Sequence, residues 1–190
     1  MIEALEQLDH EWLLRINDAH SPAFDSIMWT LSSKLFWIPG YLLLAYWTWM
    51  KSGWRGLIFI LLCVSVLILI SDSGSNHLFK NQFLRYRPCH NLELKDQLHL
   101  VNQYCGGQYG FISSHAANFF ALALFFSLLI RNKIATLVLF SSAILVAYSR
   151  VYLGVHYPSD VSVGAVWGMI SAGIVYFIFL KLKPKIIPAV

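Results

Sequence analysis

Long apolar blocks decide what this chain can fold into. Four of them, Arg55–Phe79, Phe111–Ile130, Ile134–Ser149 and Ser159–Leu180, account for much of its 190 residues. A backbone in hydrocarbon must satisfy its own hydrogen bonds, so each block is predicted to be a membrane-crossing helix. Such a helix needs about 20 mainly apolar residues; the third block is short, and one of its ends is expected below the water surface. A fifth block, Phe24–Met50, is apolar apart from Asp25 and Lys34, and Pro39-Gly40 is expected to kink or break it. The fold class is thus all-α, a polytopic transmembrane bundle of about five spans forming one domain over residues 1–190. Composition agrees, at 57% hydrophobic and 13% charged, where a soluble domain carries about 25% charged residues. The opening MIEALEQLDHEW has neither a basic n-region nor an apolar h-region, so no cleavable signal peptide is expected.

Ahead of the first block, Ile2, Leu5, Leu8, Trp12 and Ile16 recur at helical spacing among acidic residues. This predicts an amphipathic helix at the membrane interface, with a cap packed on the loops as the alternative. Ser21-Pro22 reads as the N-cap and first turn of the next helix. Charge then orients the bundle. Lys51, Arg55, Arg131, Lys133, Lys181, Lys183 and Lys185 fall on one side with no acidic residue among them, and six of the ten acidic residues lie in the first 25 positions. The positive-inside rule makes the basic side cytoplasmic, with the N-terminus outside and the C-terminus inside.

Lys80, Arg85, Arg87, Lys95 and Arg150 fall on the opposite side, where that rule gives no reason for them. Ion pairing with the acidic N-terminal segment is the plain explanation and a bound anion the sharper one. Nucleic acid is not expected, because the net charge of +4 forms no continuous basic stripe. Three of these cations belong to local patterns on the same side. KNQFLRYRP (Lys80–Pro88) leaves one block, GFISSHAANFF (Gly110–Phe120) enters the next, and SRVYLGVHYPSD (Ser149–Asp160) joins the last two.

Together these stretches resemble the three signature motifs of the type 2 phosphatidic acid phosphatase (PAP2) superfamily, in its small bacterial membrane branch. That superfamily shares its active site with the vanadium haloperoxidases. The first and third motifs match in spacing. The second departs, with Ile112-Ser113-Ser114-His115 where the family usually has Pro-Ser-Gly-His. Lys80, Arg87 and Arg150 offer three positive charges to a phosphate, and Arg is suited to gripping two oxygens at once. Ser113 adds a hydroxyl, and backbone N–H groups near Ser114 and His115 open a helix whose dipole favours an anion. Asp160 follows four positions after His156, so the carboxylate is predicted to hold one imidazole nitrogen while the other attacks phosphorus. His115 is the candidate general acid, then the base for water. The resemblance implies these same roles, and three cations leave no metal or other cofactor to call for.

Cys89 and Cys105 share the loop between the first two motifs, where a disulfide is permitted if that side is periplasmic. Cys63 reads as a buried hydrophobe. Asp72, within a span, is expected to pair with a basic group such as His77. Arg85 is left open between substrate contact and a solvated charge, and His10, His20, His90 and His99 are taken as surface residues. The expected function is a lipid phosphatase working at the outer water–lipid boundary, with membrane lipids around it and a lipid phosphate as its partner. Undecaprenyl diphosphate is the first choice of substrate. Lipid A phosphate follows, then phosphatidylglycerophosphate and phosphatidic acid. A haloperoxidase and a non-catalytic lipid-binding or transport protein are the competing readings. Oligomeric state is not addressed by the sequence.

Overall fold

A computed structural model describes residues 2–186, with side chains described over 5–183. Its helices are α1 (Ile2–Asp18), α2 (Pro22–Ser32), α3 (Ile38–Gly74), a short α4 (Asn81–Phe83), α5 (Ser114–Ile130), α6 (Lys133–Tyr152) and α7 (Pro158–Ile186). No strand occurs among the described residues, as the apolar blocks require. Lys34–Phe83, Lys133–Tyr152 and Pro158–Lys183 are each long and apolar enough to cross a membrane, and α5 is a shorter apolar helix of 17 residues.

The fifth apolar block is divided differently from the expectation. α2 stops at Ser32, a 3₁₀ turn (Lys34–Trp37) follows, and Pro39 falls in the first turn of α3. There its missing N–H would have had no helical partner in any case, so it starts a helix instead of breaking one. The true break is Gly53, at φ 62° and ψ −173°, a backbone state that glycine adopts without a Cβ clash. It folds α3 into two arms, 38–52 and 54–74. Tyr41, Leu44 and Thr48 of the first arm and Leu57, Ile60 and Val64 of the second face a common cavity. Ser21 does cap α2, its hydroxyl accepting from the Phe24 N–H with Pro22 opening the first turn.

α5 runs at the centre of the bundle, and α7 approaches it by backbone contact. A Cβ on Gly168 would collide with the Ala117 carbonyl oxygen, and one on Gly164 would lie 2.7 Å from that of Ser113. Ala172 continues this small face one turn later and is fully buried with Ala121 and Phe125. Small residues allow such proximity where hydrocarbon on every side provides no hydrophobic drive between helices.

α1 packs with a face next to its apolar stripe, and Ile16 of that stripe is drawn in with it. Asp9, Leu13 and Asn17 are buried, whereas Leu5 is 63% and Trp12 53% exposed. Asn17 holds the helix down through the carbonyls of Tyr152 and His99, at 2.7 and 2.9 Å. The helix therefore combines both readings, a cap on the loops and an apolar stripe left largely free. The side chains of Ile2 and Lys185 lie outside the described ones.

Candidate active site

Each signature stretch reaches the same end of the bundle by a different local device. α3 continues into a π-helical segment, Ser75–Lys80, whose wider turn resets the direction of Lys80; such turns are frequent at functional sites. Lys80 Nζ donates to Ser114 Oγ at 2.7 Å and to Asn76 Oδ1 at 3.1 Å. Beyond it, the segments around Tyr86 and Tyr109 form an isolated antiparallel bridge, with the Arg87 N–H donating to the Gln108 carbonyl at 3.0 Å. That bridge joins the end of the first motif to the approach of the second. Cys89 and Cys105 are disulfide-bonded just beside it, their Cα atoms 5.8 Å apart.

Arg150 lies in the last turn of α6, 4% exposed, with Nη1 donating to Ser32 Oγ. Gly154, at φ 69°, then turns the chain so that His156 comes round before Pro158 opens α7. His156 and Asp160 are 1% and 0% exposed. His156 Nδ1 lies 3.2 Å from Asp160 Oδ2, and its Nε2 lies 3.1 Å from Arg87 Nη1. A guanidinium only donates, so Nε2 is the acceptor and Nδ1 carries the proton toward Asp160. The Tyr157 N–H donates to the same carboxylate at 3.1 Å. Burial, followed by the charges of Arg87, Arg150 and Lys80, holds the His156 pKa well below the ordinary 6.5. The imidazole is neutral at physiological pH, with its Nε2 lone pair directed into the cationic cluster.

The two serines of the second motif divide their work against expectation. Ser113 is fully buried as the N-cap of α5, its hydroxyl accepting from the Ala116 N–H and its own N–H donating to the Asp160 carbonyl at 3.0 Å. Ser114 is the one whose hydroxyl joins the cluster, bonded to Lys80 and Ser75. His115 follows it on α5 and lies in the field of Arg150, His156 and Arg87. With it in one cavity wall are Lys34, in the sequence a mere interruption of an apolar block, and Asp72.

Arg85 resolves the choice between ion pairs and a bound anion. It contacts Asp9 at 2.8 Å and Asp160 at 3.1 Å, donates to Ser159 Oγ at 2.8 Å, and stacks over the Tyr157 ring at 3.9 Å. Pairing with the acidic N-terminal segment is thus correct for Arg85. Among the described residues, Lys80, Arg87 and Arg150 form no salt bridge. The buried Nε atoms of Arg87 and Arg150 have no hydrogen-bond partner at all. Buried donors are almost always satisfied, so both guanidinium groups keep a donor free for a further acceptor.

Other assignments change as well. Asp72 accepts from Asn118 at 3.3 Å, and His77 bonds instead to the Ser73 carbonyl at 3.0 Å. His99 pairs with Asp25 at 2.8 Å and stacks on His20, and His10 stacks on Tyr157, so these three are not plain surface residues. Cys63 is buried as expected. Among the described residues Cys89, His90 and Cys105 form the one group with metal-ligand proximity, and its two sulfurs are bonded to each other.

A membrane bundle with a buried His–Asp pair facing three unpaired cations is suited to holding and attacking a phosphate. Residues 57–184 match the model of the PAP2 superfamily, and the chain belongs to that superfamily. It is 33% identical to lipid A 4'-phosphatases of Porphyromonas gingivalis and Bacteroides thetaiotaomicron. These alignments cover 97% and 98% of this chain and 78% and 83% of the relatives. The fold is similar to the crystal structure of Aquifex aeolicus LpxE, with TM-score 0.62, 24% identity, and coverage of 87% of this chain and 92% of that one. It is also similar to the PAP2-type phosphatidylglycerolphosphate phosphatase of Bacillus subtilis, with TM-score 0.71, 21% identity, and coverage of 95% and 88%.

Proposed function

We propose that this lipid phosphatase removes a phosphate from lipid A on the outer face of the cytoplasmic membrane, through a phosphohistidine. The three unpaired cations around His156 carry the phosphatase chemistry, and the relatives' names favour lipid A. Undecaprenyl diphosphate, the first choice from sequence, gains no support from them and gives up its place.

In the reaction, Lys80, Arg87 and Arg150 take the phosphate oxygens, with Arg87 moving its donor from Nε2 to the substrate. The freed Nε2 attacks phosphorus in line with the departing sugar oxygen, and Asp160 stabilises the imidazolium form through Nδ1–H. His115 gives its proton to the leaving oxygen, then removes one from the water that cleaves the phosphorus–nitrogen bond. The sum is phosphate monoester plus water giving alcohol plus inorganic phosphate. On this reading the chain crosses the membrane five times, α3 supplying two of the spans, with the N-terminus outside and the C-terminus in the cytoplasm. Lys51, Arg131 and Lys183 support that orientation by lining one pocket at the end far from the site.

The test is phosphate release in detergent from lipid A, undecaprenyl diphosphate, phosphatidylglycerophosphate and phosphatidic acid, by wild type and His156→Ala. Lipid A is expected to be turned over best, and the variant to lose at least about 10³-fold, in line with loss of a nucleophile. Preference for another of these lipids removes the substrate assignment; full activity in the variant removes the mechanism.

A further inference from the structure

A cavity of about 350 Å³ lies between the two arms of α3 and the flank of α5. Its upper wall is the active site itself, through Ser114 and His115, and it reaches down to Phe126. On α5 that distance is about 18 Å, at 1.5 Å per residue, or more than half of a hydrocarbon core about 30 Å thick. The walls below His115 are mainly hydrocarbon. Thr48, deep in the groove, satisfies its hydroxyl on the Leu44 carbonyl of its own helix.

Asp72 and Asn118 break this pattern one turn below His115. The Asn118 amide donates to Asp72 Oδ1 at 3.3 Å, and Asn76 donates to Asp72 Oδ2 at 3.5 Å. Asn118 Oδ1 is buried and has no hydrogen-bond partner. A carboxylate at membrane depth and an unsatisfied acceptor are both costly, and the phosphate chemistry above uses neither. What the pair lacks is a donor, and the groove around it is shaped for a chain.

We infer that the groove takes an acyl chain of the lipid whose phosphate sits among Lys80, Arg87 and Arg150. Asp72 and Asn118 select chains that carry an N–H or O–H near their root. Amide-linked or hydroxylated chains have such a donor, whereas ester-linked glycerolipid chains and prenyl chains have only acceptors or nothing there. The occupant follows from continuity: the cavity and the phosphate cluster share Ser114 and His115, so one lipid fills both. This inference rests on the lipid phosphatase reading and adds the device that discriminates among lipids. Sites built around polar groups reject analogues that leave those groups unpaired far more strongly than apolar pockets reject a missing methylene.

The test uses two synthetic phosphorylated monosaccharide lipids. One is glucosamine with an amide-linked 3-hydroxyacyl chain, and the other is its glucose counterpart with a plain ester-linked chain of equal length. Wild type should favour the first by about 10- to 100-fold in kcat/KM, and Asn118→Leu should bring that ratio to within about twofold. Asp72→Asn, a conservative change, should reduce the ratio partway. A wild-type ratio near one, or variants that slow both lipids alike and leave the ratio standing, would overturn the inference. Competitive binding of the same lipids to His156→Ala protein reads the preference without turnover. Preference in binding, with no phosphate released from either lipid by wild type, would uphold the groove and strike the phosphatase reading.

Discussion

Two arginines separated by a single tyrosine illustrate how much a residue's role depends on what faces it. Arg85 meets Asp9 and Asp160, and Arg87 meets no carboxylate but lies against His156 Nε2. In the mechanism proposed above the first is a positioning residue, acting on His156 through the carboxylate that holds it. Without Arg85, two buried carboxylates lose their shared counter-ion, and Asp160 is free to shift. Arg85→Gln should lower kcat by about 10- to 100-fold with KM changed little, the signature of an interaction used in the transition state. A variant that raises KM with kcat intact would assign Arg85 to the substrate instead. Spacing could not reveal this, because Arg85 is not among the fixed positions of the pattern and Asp9 is 76 positions away.

At the scale of elements, the loop between α4 and α5 carries Arg87 but has little secondary structure to hold it. Its restraints are the bridge at Tyr86 and Tyr109, the insertion of Leu94 beside Leu13 and Tyr157, and the Cys89–Cys105 disulfide. A disulfide closing a loop of this size contributes about 3 kcal/mol in the chain-entropy account. Replacing both cysteines by serine should lower the Tm in detergent and raise KM several-fold, because Cys89 is two residues from Arg87. An unchanged Tm, or no alkylation difference between reduced and unreduced protein, would remove the disulfide from this account. α1 shows the complementary point. Its apolar periodicity predicted a helix correctly, but the face it buries is the one bearing Asp9 and Asn17, since those side chains find partners only once the loops are in place.

For the whole molecule, the site depends on how closely α7 lies on α5. Ser113 donates its N–H to the Asp160 carbonyl across that contact, so the helix that starts at Ser114 and the one that carries Asp160 are fixed together. Gly168 is the closest point, where an added Cβ would meet backbone and not a movable side chain. Gly168→Val should destabilise the protein by about 1–3 kcal/mol or more, as overpacking does. It should also lower turnover by moving Asp160 relative to α5. Normal Tm and activity in that variant would show that the two helices tolerate separation.

The amino-acid sequence by itself determined the helices, the membrane setting and the residues of the three motifs. Apolar run length and short-range spacing are local properties, and hydrocarbon leaves a backbone few alternatives. Only the tertiary structure decided that Ser114 and not Ser113 joins the cluster, that α3 turns at Gly53 and not at Pro39, and that Asp72 meets Asn118. It alone separated the paired Arg85 from the unpaired Lys80, Arg87 and Arg150. Each of these depends on which group stands opposite across space, and partners from distant segments leave no mark in the spacing of either one.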